Sequence, residues 1–118
     1  VQHAAPVYMY QFAWESPVMD GILRSTHCME IAFVFDNIAR CASMTGGGKD
    51  AQALADKMSS AWIQFARTGN PNVEGLPTWK PYTVEKGATM IFNNQSEIKY
   101  NQDKELMQFI SKFPMRGF

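Results

Sequence analysis

Cysteine is scarce in this chain: Cys28 and Cys41 are the only two in 118 residues. Two thiols can close one bridge or stay free, but they cannot build a disulfide framework, and they leave the redox compartment open. An excess of one charge is missing as well. Lys plus Arg number 11 and Asp plus Glu number 11, giving a formal net charge of zero. A neutral chain has no general electrostatic footprint for nucleic acid or an anionic membrane surface, so neither is expected as a partner. Long hydrophobic runs are absent too. The longest uncharged apolar stretch, Ile31 to Phe35, falls far short of the roughly 20 residues a membrane span needs. The chain opens Val1-Gln2-His3 with no initiator Met and no signal peptide, and runs almost at once into a strand-like segment. Domains usually begin with a polar lead-in. The expectation is a chain entered in mid-course, with localisation open.

What is present is apolar bulk. Hydrophobic residues make up 46% of the chain and charged residues 19%, with eight Phe, eight Met and three Trp. That is ordinary globular composition, and it excludes a disordered tail. The length suits one domain and not two. There is no internal repeat and no low-complexity segment.

Val7 to Ala13, after Pro6, is rich in β-branched and aromatic residues and nearly continuous in hydrophobicity. That pattern predicts a strand buried on both faces. Val18 to Thr26 reads as a loop. His27 to Phe35 is a helix or a strand, since periodicity cannot decide at this length. Ala42 to Lys49, with Gly46-Gly47-Gly48, reads as a flexible loop. The clearest element follows: Ala51, Leu54, Ala55, Met58, Ala61, Trp62, Phe65 and Ala66 recur at helical spacing. Asp50 stands where the helix dipole favours an acid, and Gly69-Asn70-Pro71 is a stop signal, so a helix is predicted over 50–68. Ala88 to Phe92 reads as a second strand and Ser96 to Tyr100 as a short extension. Lys104 to Phe113 carries a helical stripe ended by Pro114. Two or three strands and two or three helices make an α/β inventory. It is too small for a complete open sheet covered on both faces, so other apolar surface must complete it.

Few residues could carry chemistry. His3, His27, Cys28 and Cys41 show neither C-x-x-C nor H-E-x-x-H spacing, so no metal site is expected. Gly46-Gly47-Gly48 lacks the pattern of a phosphate loop. Cys28 adjoins His27, but consecutive side chains point about 100° apart on a helix and to opposite faces on a strand. A Cys–His pair is therefore not expected, and Cys28 reads as a buried structural thiol. His27 could serve as a general base, but no G-x-S-x-G turn supplies a nucleophilic serine. On residues alone the chain holds a half-site.

Several segments in register resemble the type B carboxylesterase family, which includes cholinesterases, carboxylesterases and bacterial para-nitrobenzyl esterases. They are Tyr8 to Phe12, His27 to Phe35, Ala61-Trp62-Ile63-Gln64-Phe65-Ala66-Arg67-Thr68-Gly69-Asn70-Pro71-Asn72, Trp79-Lys80-Pro81-Tyr82, and Met90-Ile91-Phe92. Trp14-Glu15-Ser16-Pro17 and Phe35-Asp36-Asn37 make the likeness strongest to the bacterial members. The resemblance spans nearly the whole chain and implies the C-terminal portion of an α/β-hydrolase fold, residues 1–118 forming one unit with an incomplete sheet. The family's nucleophile, acid and oxyanion hole lie upstream of the matched region. His27 occupies the position of the catalytic histidine, and Glu30 matches a family acid near the active centre.

The resemblance further implies a small-molecule ester substrate, acyl transfer and no cofactor. Val7 to Phe12 would be an interior strand delivering the His27 loop, 50–68 a helix over one sheet face, and Trp62 and Phe65 core anchors. Tyr8, Tyr10 and Phe33 would lack cover, which predicts self-association or contact with the missing N-terminal portion. The competing expectation is a non-catalytic binding or self-associating module that kept the fold segment and lost the chemistry.

Overall fold

The structure is a computed structural model that describes residues 5–113. His3 and the Pro114 stop lie outside the described residues. The longest element is the helix expected from the stripe: α3, Lys49–Thr68, buries Ala51, Leu54, Ala55, Met58 and Ala61 on one side. Asp50 lies in its first turn. Gly69 ends it in the left-handed conformation, with its N–H donating to the Phe65 carbonyl at 2.7 Å. Two shorter helices precede α3: α1, Met29–Val34, and α2, Ala42–Thr45.

Three strands form one sheet in the order β1-β2-β3, with β1 at Met9–Phe12, β2 at Thr89–Phe92 and β3 at Glu97–Lys99. β1 and β2 run parallel, from Met9 opposite Thr89 to Phe12 opposite Phe92. β2 and β3 run antiparallel through the Asn93–Ser96 turn, with Met90 opposite Ile98. The last helix among the described residues is α4, Lys104–Ile110. α1 and α3 pack together, and the core lies between them and the sheet. Trp14, Met29, Phe33, Ile38, Leu54, Met58, Trp79, Met90 and Phe92 fill it. Among the described residues no helix is long and apolar enough to cross a membrane.

The α/β class and incomplete sheet agree with the expectation. Several details differ. The described residues hold four helices, not two or three: α2 occupies part of the expected glycine loop, and Val18–Gly21 adds a 3-10 turn inside the expected loop 18–26. His27 to Phe35 resolves as the helix α1, which begins only at Met29.

The strand expected to be buried on both faces is the largest correction. In β1, Met9, Tyr10 and Gln11 are exposed and Phe12 is half-buried. The reason is position: among the described residues β1 lies at the edge of the sheet, with β2 as its one strand neighbour. Phe65 is 45% exposed, so it is no core anchor, although its ring meets Tyr8 edge-on at 6.0 Å. Trp62 is half-buried against the core, with Tyr10 at 5.1 Å. Phe33 needs no further cover: it is fully buried, with Phe12 at 4.9 Å and Trp14 at 5.0 Å. The stripe of α4 is present but open, with Leu106, Met107, Phe109, Ile110 and Phe113 all exposed.

Candidate active site

The loop that carries His27 leaves the C-terminal end of β1. In open α/β sheets this is the edge where ligands are bound. Ala13 continues the ladder by donating its N–H to the Phe92 carbonyl at 2.9 Å. Trp14 follows, buried to 1% exposure, with its indole N–H on Asp50 Oδ2 at 3.3 Å. The strand end is thereby fixed to both β2 and the start of α3.

From Glu15 the chain swings out and returns at Arg24, and polar contacts close the neck. The Ser16 N–H donates to the Arg24 carbonyl at 3.2 Å, and Ser25 Oγ donates to the Trp14 carbonyl at 2.7 Å. Arg24 Nη1 meets Glu15 Oε2 at 2.9 Å on the surface. Ser16 is buried, and its hydroxyl donates to the Met44 carbonyl at the end of α2 while accepting from the Val18 N–H. The excursion is tightly coiled: Met19, Asp20, Gly21 and Arg24 all have positive φ. Met19 and Ile22 stand exposed at its tip.

His27 lies just beyond the neck. Thr26 accepts from the Met29 N–H at 3.1 Å, and Cys28 takes a left-handed conformation, φ 66°, at the start of α1. Met29 is buried. His27 therefore rides on a short arch between one residue tied to the end of β1 and another sunk in the core. Its side chain is exposed, and its ring makes no hydrogen bond among the described residues. Glu30 is half-buried in the first turn of α1. Burial first, and the negative charge of Glu30 second, push the Tyr10 phenol above its ordinary value. Glu30 thus exerts its field toward Tyr10 on β1.

No hydrogen bond joins His27 and Glu30 among the described residues, so their nearness is one of sequence and helix start. Cys28 is exposed and not the buried thiol expected, because it sits at the start of α1 ahead of the first core residue, Met29; Cys41 is half-buried, and both are free thiols. Among the described residues no cluster of His, Cys, Asp and Glu is grouped as metal ligands would be. Ser25, whose hydroxyl meets the Trp14 carbonyl, is not among the residues the sequence singles out, and Trp14 enters there only within a bacterial-like segment. The available signal was local: a carbonyl just past a strand end needs a donor, and a small hydroxyl residue returns to it.

Comparison with known proteins agrees with this architecture. The family model described as "Carboxylesterase family" matches residues 1–110. The para-nitrobenzyl esterase of Bacillus subtilis is 33% identical over 117 residues, a match covering 98% of this chain and 23% of that protein. The phenmedipham hydrolase of Pseudarthrobacter oxydans is 34% identical over 94 residues, covering 76% of this chain and 19% of that protein. A solved para-nitrobenzyl esterase structure superposes with a TM-score of 0.80 at 32% identity, covering 92% of this chain and 22% of that one. The chain therefore spans about a quarter or less of the curated relatives it matches. With the family model matching almost end to end, and with a partial α/β-hydrolase sheet shared with solved esterases, this chain belongs to the carboxylesterase family.

Proposed function

We propose that this chain acts as the C-terminal segment of a serine carboxylesterase, 1–118 forming one unit, and that it contributes the general base His27. The observation that carries the reading is the placement of His27: exposed, on an arch hung from the C-terminal end of a parallel strand, in a chain of this family. α/β-hydrolases order their triad Ser, acid, His along the chain, so a C-terminal segment carries the histidine.

The chemistry is acyl transfer. A serine hydroxyl from elsewhere in the complete enzyme attacks the ester carbonyl, and His27 takes its proton. The tetrahedral intermediate collapses, the C–O bond to the alcohol breaks, and the imidazolium returns the proton to that alcohol. His27 then takes a proton from water as it attacks the acyl-enzyme, and gives it back to serine as the carboxylic acid leaves. Glu30 acts as a nearby negative charge, not as a reacting group. The substrate is a small carboxylic ester. The name of the Bacillus relative makes benzyl-type esters the first to try. The 118 residues contain no G-x-S-x-G turn, so the isolated chain is expected to be inactive.

The intact mass of the native protein after treatment with a fluorophosphonate tests this. A single unmodified species of 13.3 kDa fits an inactive segment. A larger species with one adduct fits an esterase that includes this chain. In that species His27→Gln should lower kcat by roughly 10⁴-fold or more. Unchanged kcat overturns the role of His27. Ester hydrolysis by the pure 118-residue chain, lost in His27→Ala, overturns the inactivity.

A second reading, a non-catalytic module that associates with itself or with the rest of an esterase, is favoured by the free edge of β1. The carbonyls of Val7 and Met9 accept from the Tyr82 N–H and the Trp79 indole, and Ala13 donates to β2. The Ala13 bond sets the odd-numbered peptide groups toward β2, and by alternation those of Tyr10 and Phe12 face away from it. Beside them lies an apolar groove of about 350 Å³ lined by Pro6, Tyr8, Trp62, Phe65 and Trp79. An open strand with apolar flanks is a template for another strand. Sedimentation of the pure chain should show a dimer or higher species, and a monodisperse monomer overturns the self-association.

A further inference from the structure

We infer that Ser25 is the positioning residue of the His27 arch. This rests on the reading of His27 as the base. Of the other contacts closing the neck of the loop, the Ser16 N–H holds the Arg24 carbonyl one residue earlier than Ser25, the Ser16 hydroxyl bonds Met44 on α2, and the Arg24–Glu15 pair is exposed. An exposed ion pair of this kind adds little. The Ser25 hydroxyl is different. It is part-buried, it stands two residues before His27, and its acceptor is the carbonyl of Trp14.

Trp14 is among the most constrained groups here. Its ring packs on Phe12 and Phe33, its indole N–H is held by Asp50, and the peptide before it is in the sheet ladder. Ser25 thus transfers the rigidity of the sheet to the near end of the arch. The far end is held by Met29, buried in the core, whose N–H closes on Thr26. Between these points the His27 ring has no hydrogen bond of its own among the described residues. Its direction follows from the two footings, and the only side-chain bond in the nearer one is the Ser25 hydroxyl. Loss of that hydroxyl also leaves the part-buried Trp14 carbonyl without its side-chain donor. Positioning within a fraction of an ångström is what a general base requires before it can take a proton.

The test uses the 118-residue chain itself and backbone order parameters by NMR. In Ser25→Ala the values at Thr26, His27 and Cys28 should fall from about 0.85, a rigid backbone, to below about 0.6, a flexible one. Ser25→Thr keeps the donor and should restore them. Ser25→Cys, a weaker donor of similar size, should fall between and serves if the alanine variant folds poorly.

Thr45→Val removes a buried hydroxyl that donates to the Ile38 carbonyl on the far side of the loop. It should lower the melting temperature without loosening residues 26–28. Rigid residues 26–28 in both Ser25→Ala and Ser25→Cys overturn the inference, as does equal loosening in Thr45→Val. The base reading fails separately, if His27→Gln leaves ester hydrolysis by the fluorophosphonate-reactive protein unchanged while Ser25→Ala still loosens the arch.

Discussion

Two regions of this molecule use the same residue types to opposite ends. In the layer of α1, α3 and β2, Phe33 and Met90 are at 0% exposure. On the outer strand β1 and on α4, Met9 is 43% exposed and Phe109 57%. Both regions show regular patterns: a stripe at helical spacing in α3 and α4, and a β-rich run in β1 and β2. What separates them is the neighbours. β2 has a strand on each side and α3 has α1 against it. β1 has one strand partner among the described residues, and α4 makes no extensive packing with another element there. Periodicity fixes which face of an element is apolar, and topology fixes whether that face is covered.

The contrast is tested most severely inside the core. Phe33→Ala removes a ring packed on Phe12 and Trp14, and should lower stability by about 3–5 kcal/mol. Against the roughly 5–15 kcal/mol typical of a domain, that is a large fraction of its stability. Urea unfolding followed by Trp fluorescence should show the transition moved to far lower denaturant or lost. A shift no larger than that of a surface variant would mean that Phe33 is not at the centre of the core.

An intermediate effect is expected where the loop neck meets α2. Gly46 has φ +75°, and a Cβ there would come within 2.9 Å of the Pro17 side chain. Gly46→Ala therefore meets both a left-handed backbone and a ring in its way. It should cost about 1–3 kcal/mol. Thermal unfolding checks it, and an unchanged midpoint would mean that the Ser16-Pro17 segment is free to move aside.

The open region should behave otherwise. Leu106→Ala and Phe109→Ala on α4 should each change stability by no more than about 0.5 kcal/mol in the isolated chain, by the same urea measurement. A loss near 2 kcal/mol at either would show that α4 is covered in solution, by a second copy or by another part of an esterase, and the contrast between the regions would dissolve.

The same division decides how much could be read in the sequence. α3 was legible because its information is local: apolar spacing, Asp50 at the start, Gly69 and Pro71 at the end. α2 was not, since four residues are too few to show a period. β1 was legible as a strand, but its burial was not, because a continuous apolar run states a preference for cover and not its presence. His27 stood out only as a lone imidazole until its surroundings were compared with a family, since its arch has no periodicity and its ring no partner. Ser25 was illegible for a different reason. Its role lies in a bond to Trp14, eleven positions away, which exists only once the loop has closed.

The smallest expected effect lies where the two regions touch. Tyr10 stands on the outer strand, yet its ring packs on Trp62 and Phe92. Its phenol is pushed above its ordinary value by burial first and by the charge of Glu30 second. A group whose folded pKa exceeds its unfolded value binds protons more tightly when folded. Its contribution is fully present below the unfolded value, about 10, and is lost as pH rises through the higher folded one. Stability should therefore decline at alkaline pH, and Tyr10→Phe should remove part of that decline while changing little at neutral pH. Glu30→Gln should bring the Tyr10 phenol partway down, because burial, the larger cause, remains. Tyrosinate absorbance against pH, taken as a difference between each variant and the parent, checks both. An identical titration in Glu30→Gln would remove Glu30 from the surroundings of β1, and with it the electrostatic link between the first turn of α1 and the open strand.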